Sequence, residues 1–398
     1  MRVRDGRIVA SVVLGLALFA TSTTGAGATD DPGPSLQKTA EKILATATGG
    51  EFKVVTTTRT SGAPEITTAV TSSRSRALDL IIAGLSKSST IGVDIAHEVS
   101  IDASNDTYRS KQWALNKLGA ETAWKTSTGS GVVVAVIDTG VQAGHADLSG
   151  HVLSGRDFVA PGTSATDENG HGTHVAGIIT AISNNRRGIA GLAPKTRVLP
   201  VRVLDRSGVG DSANVAKGIV WAVDHGAKVI NLSLSSTQAD SAGRAAVAYA
   251  ISKNVVVVGA AGNDGCAFLF GAPRSYPAAY DGVLGVGAIT SAGGVASYSS
   301  CGDWVDVVAP GSGILSTMIP KPQADLGCPA NYCTLSGTSM AAPYASAAAA
   351  LEIAKLGSRA KQATVRSLIQ STADDIGSKG YDTSTGSGVI NPRRMLSR

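Results

Sequence analysis

The chain has 398 residues, 43% of them hydrophobic and 16% charged, with a formal net charge of +5. That balance excludes a disordered chain, and with aromatics at 4% and lysine and arginine scattered there is no basic, aromatic strip to bind nucleic acid. The length accommodates one large domain with smaller pieces before it.

The first segment, residues 1–28, reads as a secretory signal. Arg2, Arg4 and Arg7 precede an apolar run from Ile8 to Ala20, and Ala26, Gly27 and Ala28 offer small residues for cleavage. The run is too short to span about 30 Å of hydrocarbon, so the expectation is a secreted, extracellular protein without a membrane anchor. Residues 29–104 form a second segment, rich in Thr, Ser and Lys and poor in Gly. Phe52 to Arg59 reads as a strand, Ser75 to Leu85 as a helix and Ile91 to Ile101 as a strand, together a small α+β module. The polar stretch DASNDTYRS then reads as an exposed link or cleavage region.

Residues 105–398 make the main domain. From Val132 onward the apolar runs VVVAVID, RVLPVRVL, KVINLSLS, NVVVVGAAGN, VLGVGAI and WVDVVAP alternate with helical patterns around His171 to Ser183, Ser212 to His225 and Asp240 to Lys253. Unbroken apolar runs predict strands buried on both faces, hence an α/β fold with a doubly wound, mostly parallel sheet covered by helices on both sides. Ligands of such sheets sit beyond the carboxyl ends of the strands. In an exported protein the four cysteines read as two disulfides, for which three pairings exist. Cys328 and Cys333 enclose a short stretch containing Pro329, a natural local staple, which leaves Cys266 with Cys301.

The chemistry-bearing residues fall at those strand ends and helix starts. Asp138 closes VVVAVID, with Gly140 behind it for the turn. His171 in NGHGTHVAGI begins a helix, and its imidazole exchanges a proton near neutral pH. His174 lies one turn on, but an i, i+3 pair without a third ligand makes no metal site, so it is expected to pack. His97, His145, His151 and His225 read as surface or loop residues. Asn263 ends NVVVVGAAGN, where its amide suits a developing oxyanion. Ser339 in SGTSMAAP stands at the start of the helix expected over Ala341 to Leu351, where free N–H groups gather, with Pro343 expected in the first turn.

The order Asp138, His171, Ser339, within DTG, GHGTH and GTSMAAP, resembles the subtilisin-like serine proteases, and the resemblance runs from about Trp113 to Asn391. It implies a serine endopeptidase of broad specificity in which Ser339 attacks the scissile amide, His171 carries the proton and Asp138 holds the imidazolium. Asn263 and the Ser339 N–H would form the oxyanion hole. A peptide substrate would lie as an added strand between Gly208, Val209 and Gly210 on one side and Ser233, Leu234 and Ser235 on the other. Ser235 and Ser236 stand where relatives usually have two glycines, implying a narrower or more polar first pocket, and Tyr344 stands where relatives often have histidine.

The resemblance implies no cofactor for the chemistry and a possible structural calcium near Asp147 and Asn184, in a loop, Ile182 to Ile189, whose Arg186 and Arg187 are unwelcome beside a cation. It also implies that residues 29–104 are a pro-region, an intramolecular inhibitor removed by self-processing, and that the mature enzyme is a monomer. Two other readings compete: an esterase, whose usual GxSxG elbow is missing around Ser339, and a silent scaffold, which would lack a triad member.

Overall fold

The computed structural model describes residues 34–47, 50–96, 104–266 and 272–398. Its contacts divide the chain into two compact units, the division falling between residues 100 and 101. His97 and the segment 1–28 lie outside the described residues.

In the first unit helix α1 (Pro34–Leu44), strands β1 (Phe52–Thr58) and β2 (Glu65–Thr71), helix α2 (Arg74–Leu85) and strand β3 (Thr90–Ile95) make an antiparallel sheet of order β2-β1-β3. Phe52, Val54, Val93 and Ile95 close a small core with Ala40 and Leu44 of α1 and Ala77 and Ile81 of α2. Ser73 caps α2 by accepting the Arg76 N–H. The α+β character is as expected, but α1 and β2 were not. In β2 both Ile66 and Val70 are exposed, so no buried alternation marks that strand. The strand expected to reach Ile101 ends at Ile95 within the described residues.

The second unit opens with two short helices, α3 (Trp113–Leu118) and α4 (Ala120–Trp124). Its centre is a sheet of seven strands in the order β10-β9-β8-β7-β4-β6-β5. These are β4 (Val133–Asp138), β5 (Arg156–Asp157), β6 (Arg197–Arg202), β7 (Val229–Leu232), β8 (Val256–Ala260), β9 (Leu284–Ile289) and β10 (Val307–Pro310), and every pairing is parallel. Six of them are the apolar runs read from the sequence; β5, only two residues long, left no such run.

Burial on both faces is visible in β4 alone. Val134 and Val136 enter one core with Val175 and Ile179 of helix α5 (His171–Thr180) and the alanines of helix α8 (Thr338–Leu356). Ala135 and Ile137 enter the other, with Ile219 of α6 (Ser212–Asp224) and Val247 of α7 (Ser241–Ser252). Helix α8 is buried nearly all round from Thr338 to Glu352, and its alanine run lets neighbouring backbones approach closely. An antiparallel hairpin, β11 (Ile314–Thr317) with β12 (Tyr332–Leu335), leads into α8, and helices α9 (Gln362–Ser371) and α10 (Pro392–Leu396) close the unit. Both expected disulfides are present, Cys266–Cys301 and Cys328–Cys333.

Candidate active site

Asp138 is the last residue of β4 and is fully buried. Its carboxylate accepts from the Thr139 N–H at 2.7 Å and from His171 Nδ1, 2.8 Å from Oδ1 and 3.0 Å from Oδ2. The glycines beside His171 make that approach possible. A Cβ on Gly172 would stand 2.2 Å from the Gly140 carbonyl oxygen, and Gly170, at φ +117°, adopts the left-handed conformation from which α5 departs. The imidazole keeps 22% of its side-chain surface exposed.

A second buried carboxylate, not singled out from the sequence, builds the start of α5. Asp167 accepts from the N–H groups of Asn169 (2.9 Å), Gly170 (2.8 Å) and Thr173 (2.9 Å) and from the hydroxyls of Thr139 (2.8 Å) and Thr173 (2.6 Å). It thereby satisfies helix-start donors that have no partner within the helix. Burial works against the His171 imidazolium, but the charge and hydrogen bond of Asp138 and the charge of Asp167 outweigh it. The His171 pKa is therefore raised above the ordinary histidine value. His174 behaves oppositely. It is buried, its Nε2 donates to the Ile314 and Cys333 carbonyls at 3.1 Å each, and burial pushes its pKa down to about 3, so it is a neutral packing residue as expected.

Ser339 is the second residue of α8, which begins at Thr338 rather than Ala341. Pro343 consequently lies inside the helix and not in its first turn, which corrects the sequence expectation. The consequence is chemical: proline has no N–H to give to the carbonyl four residues back, and that carbonyl is Ser339's own. The Ser233 hydroxyl supplies the missing donor at 2.8 Å, while the Ser339 hydroxyl donates to the Ser233 carbonyl at 3.1 Å. Ser233 is itself held by Asn231 Nδ2 at 2.9 Å, and Asn231 Oδ1 accepts from Ser346 of α8 at 2.8 Å. This chain of buried hydrogen bonds fixes the backbone of Ser339 to the end of β7.

Asn263 follows β8. Its Oδ1 accepts from the Thr338 N–H at 2.9 Å and hydroxyl at 3.0 Å, which turns its NH₂ away from them as a donor. A Cβ built on Gly337 would stand 3.7 Å from both Asn263 Nδ2 and Ser339 N, so the two donors flank one small space beside the serine.

His171 and Ser339 both border a cavity of about 640 Å³ whose walls include Gly208, Val209 and Gly210 on one side and Ser233, Leu234, Ser235 and Ser236 on the other. Among the described residues Leu234 and Ser235 make no backbone hydrogen bond, and Ser236 is tied to Tyr276 by two, at 2.9 and 2.8 Å. The two segments expected to flank a substrate therefore border the same cleft.

Away from this cleft, Asp147 is fully buried and accepts from Asn185 Nδ2 at 2.8 Å, the Ile189 N–H at 2.9 Å and the Tyr332 hydroxyl at 3.0 Å. Asn184, expected among the ligands of a calcium there, accepts from the Asn105 N–H at 3.1 Å. Another buried carboxylate, Asp106, takes the N–H groups of Asn184 and Asn185 at 3.0 and 2.9 Å. N–H and O–H donors thus point at Asp147, an arrangement satisfied without a cation, and among the described residues no cluster of three His, Cys, Asp or Glu side chains is placed to hold a metal. His145, read as a surface or loop residue, is buried: its Nε2 donates to the Asn331 carbonyl at 2.8 Å and burial lowers its pKa.

A wholly parallel sheet carrying a carboxylate–imidazole pair and a helix-start serine along its carboxyl edge fits the class of α/β serine hydrolases. Comparison with known proteins gives the family: the model of the subtilase family matches residues 129–388. The chain belongs to the subtilase family and is a serine-type endopeptidase, a class whose catalysis needs no cofactor. It is similar to the thermitase of Thermoactinomyces vulgaris, 45% identical over 294 residues that cover 73% of this chain and 98% of that one. It also resembles an extracellular protease of Xanthomonas campestris pv. campestris, 37% identical over 330 residues, covering 72% of this chain and 55% of the relative. Among solved structures, a protease of Pseudoalteromonas arctica PAMC 21717 superposes with a TM-score of 0.67 at 33% identity, covering 74% of this chain and 99% of that one.

Proposed function

We propose that this chain hydrolyses peptide bonds of proteins through Ser339, His171 and Asp138, with Asn263 and the Ser339 N–H as the oxyanion hole. The observation that carries the reading is that His171, held by the buried Asp138, and Ser339 border one cleft, with Asn263 Nδ2 and the Ser339 N–H flanking the space beside Gly337. In the reaction the Ser339 hydroxyl turns from the Ser233 carbonyl to His171 Nε2, which takes its proton as Oγ bonds the scissile carbonyl carbon. The carbonyl π pair moves onto oxygen, and the two donors beside Ser339 stabilise it. His171 then protonates the leaving amine as the C–N bond breaks, and water repeats the sequence to release the acid. Asp138 holds the imidazole by its Nδ1 proton throughout.

The unpaired edge at Leu234 and Ser235 supports substrate binding by main-chain pairing, which reads little sequence and so gives broad specificity. The signal-like segment 1–28 supports secretion, and among the described residues no helix is long and apolar enough to cross a membrane. The compact first unit supports the pro-region reading of residues 29–104, with residues 105–398 as the peptidase domain. The Ser339→Ala protein should then retain that segment while the wild type loses it, and equal processing of both would assign the cut to another protease. Calcium has no support from the Asp147 surroundings, where three donors already meet the carboxylate. The test of the whole reading is casein hydrolysis by the wild type, abolished in both Ser339→Ala and His171→Ala; activity surviving either change would overturn it.

A further inference from the structure

The loop between β11 and β12 has no part in the chemistry above, yet it reaches the cleft. Its base is seated on the helix that begins with His171: the Ser316 hydroxyl donates to the His174 carbonyl at 2.6 Å and the Thr317 hydroxyl to the Thr173 carbonyl at 2.7 Å. Met318, Ile319 and Cys333 pack together there with Cys328, and the Cys328–Cys333 bond shortens the free span of the loop. Farther out, the Gln323 N–H donates to the Asn169 carbonyl at 3.2 Å and its side-chain amide to the Glu168 carbonyl at 3.3 Å. Those carbonyls belong to the segment leading into His171. A single 3₁₀ turn, Ala324–Leu326, follows, closed by Gly327.

Leu326 ends that turn. It is half-buried, it belongs to none of the hydrophobic clusters formed by the described residues, and it borders the substrate cavity together with His171, Asn169 and Ser207. An isobutyl group left partly in water on the border of the cleft gains most when a ligand covers it with apolar surface.

We propose that Leu326, on the loop stapled by Cys328–Cys333, is a specificity-determining residue that favours substrates with an apolar side chain at the position that meets it in the cleft. This rests on the reading of the cavity as a peptide cleft. The selectivity comes from the loop, independently of the first pocket lined by Ser235 and Ser236.

The experiment is cleavage profiling of a fluorogenic peptide library, position by position, with wild type, Leu326→Ala, Leu326→Asp and the Cys328→Ser/Cys333→Ser double variant. At one substrate position the wild type should prefer Leu or Phe over Ala. Leu326→Ala should cut that preference in kcat/KM by about tenfold. Leu326→Asp should turn it toward Lys and Arg at the same position, a reversal that mere loss of folding cannot produce. The double cysteine variant should lose the preference as Leu326→Ala does. Active enzymes with superimposable profiles, or a double variant whose preference persists, would overturn the proposal and leave the endopeptidase reading standing. A wild type that cleaves no peptide would refute both.

Discussion

Replacing Ser233 by alanine isolates what the interior proline of α8 costs and how the fold meets it. The Ser233 hydroxyl is buried, donates to the Ser339 carbonyl at 2.8 Å and accepts from Asn231 Nδ2 at 2.9 Å. Its removal leaves an acceptor and a donor without partners, each worth about 1–3 kcal/mol, so Ser233→Ala should destabilise by about 2–6 kcal/mol. The acceptor is orphaned only because Pro343 has no N–H. Pro343→Ala restores a helical donor aimed at the same carbonyl, so the double variant should be more stable than the sum of the single effects by about 1–2 kcal/mol. The cycle is measured by urea unfolding in a Ser339→Ala background, which retains the carbonyl and prevents self-digestion. Strict additivity would refute the coupling between Pro343 and Ser233.

Other outcomes follow from the same geometry. Because the His171 pKa is raised, the neutral imidazole that acts as base appears only as pH climbs past a value above the ordinary 6.5, and the acid limb of kcat/KM should have its midpoint there. The raised value also means that His171 adds stability below its unfolded pKa and loses that contribution as pH rises through the folded one. Asp167→Asn, by removing a charge that favours the imidazolium, should move the acid limb toward lower pH; no movement would show that Asp167 acts on the helix alone. Asn263→Ala should lower kcat on the order of 10²- to 10³-fold, the range known for such an amide donor in a subtilisin, with KM little changed. An effect confined to KM would place Asn263 in ground-state binding. With Asp147 already met by three donors, excess chelator should leave the melting temperature unchanged, whereas a drop of several degrees would show that a cation occupies the Ile182 to Ile189 loop.

Much of this was legible in the sequence because local rules govern it. The strands β4, β6, β7, β8, β9 and β10 declare themselves as mostly apolar runs, since a parallel sheet covered on both faces leaves few polar positions. Asp138, His171, Asn263 and Ser339 stand out because each needs a turn beside it that glycine provides. What was not legible depends on residues distant in the chain. The Ser233–Ser339 clamp and the Ser346–Asn231 bond join positions 106 and 115 residues apart, and no local pattern foretells them. Asp167 takes four of its five donors from within six residues and the fifth from Thr139, 28 residues away, whereas His145 is buried where the carbonyl of Asn331, 186 residues away, meets its ring. The start of α8 was misplaced because proline was read as a first-turn residue, when a serine hydroxyl from β7's end makes it tolerable in the interior. In the Ile182 to Ile189 loop Asn185 Nδ2 meets Asp147 across 38 residues while Asn184 Oδ1 takes the Asn105 N–H across 79, contacts that no local pattern shows.

The central claim, that Ser339 is the nucleophile, is tested most directly by mapping a covalent adduct. Mature protein treated with a fluorophosphonate should carry a single phosphonyl group on the peptide containing Ser339, and His171→Ala should slow its formation by orders of magnitude. An adduct on another serine, such as Ser233 or Ser235, or no adduct on protein that is folded and processed, would contradict the account.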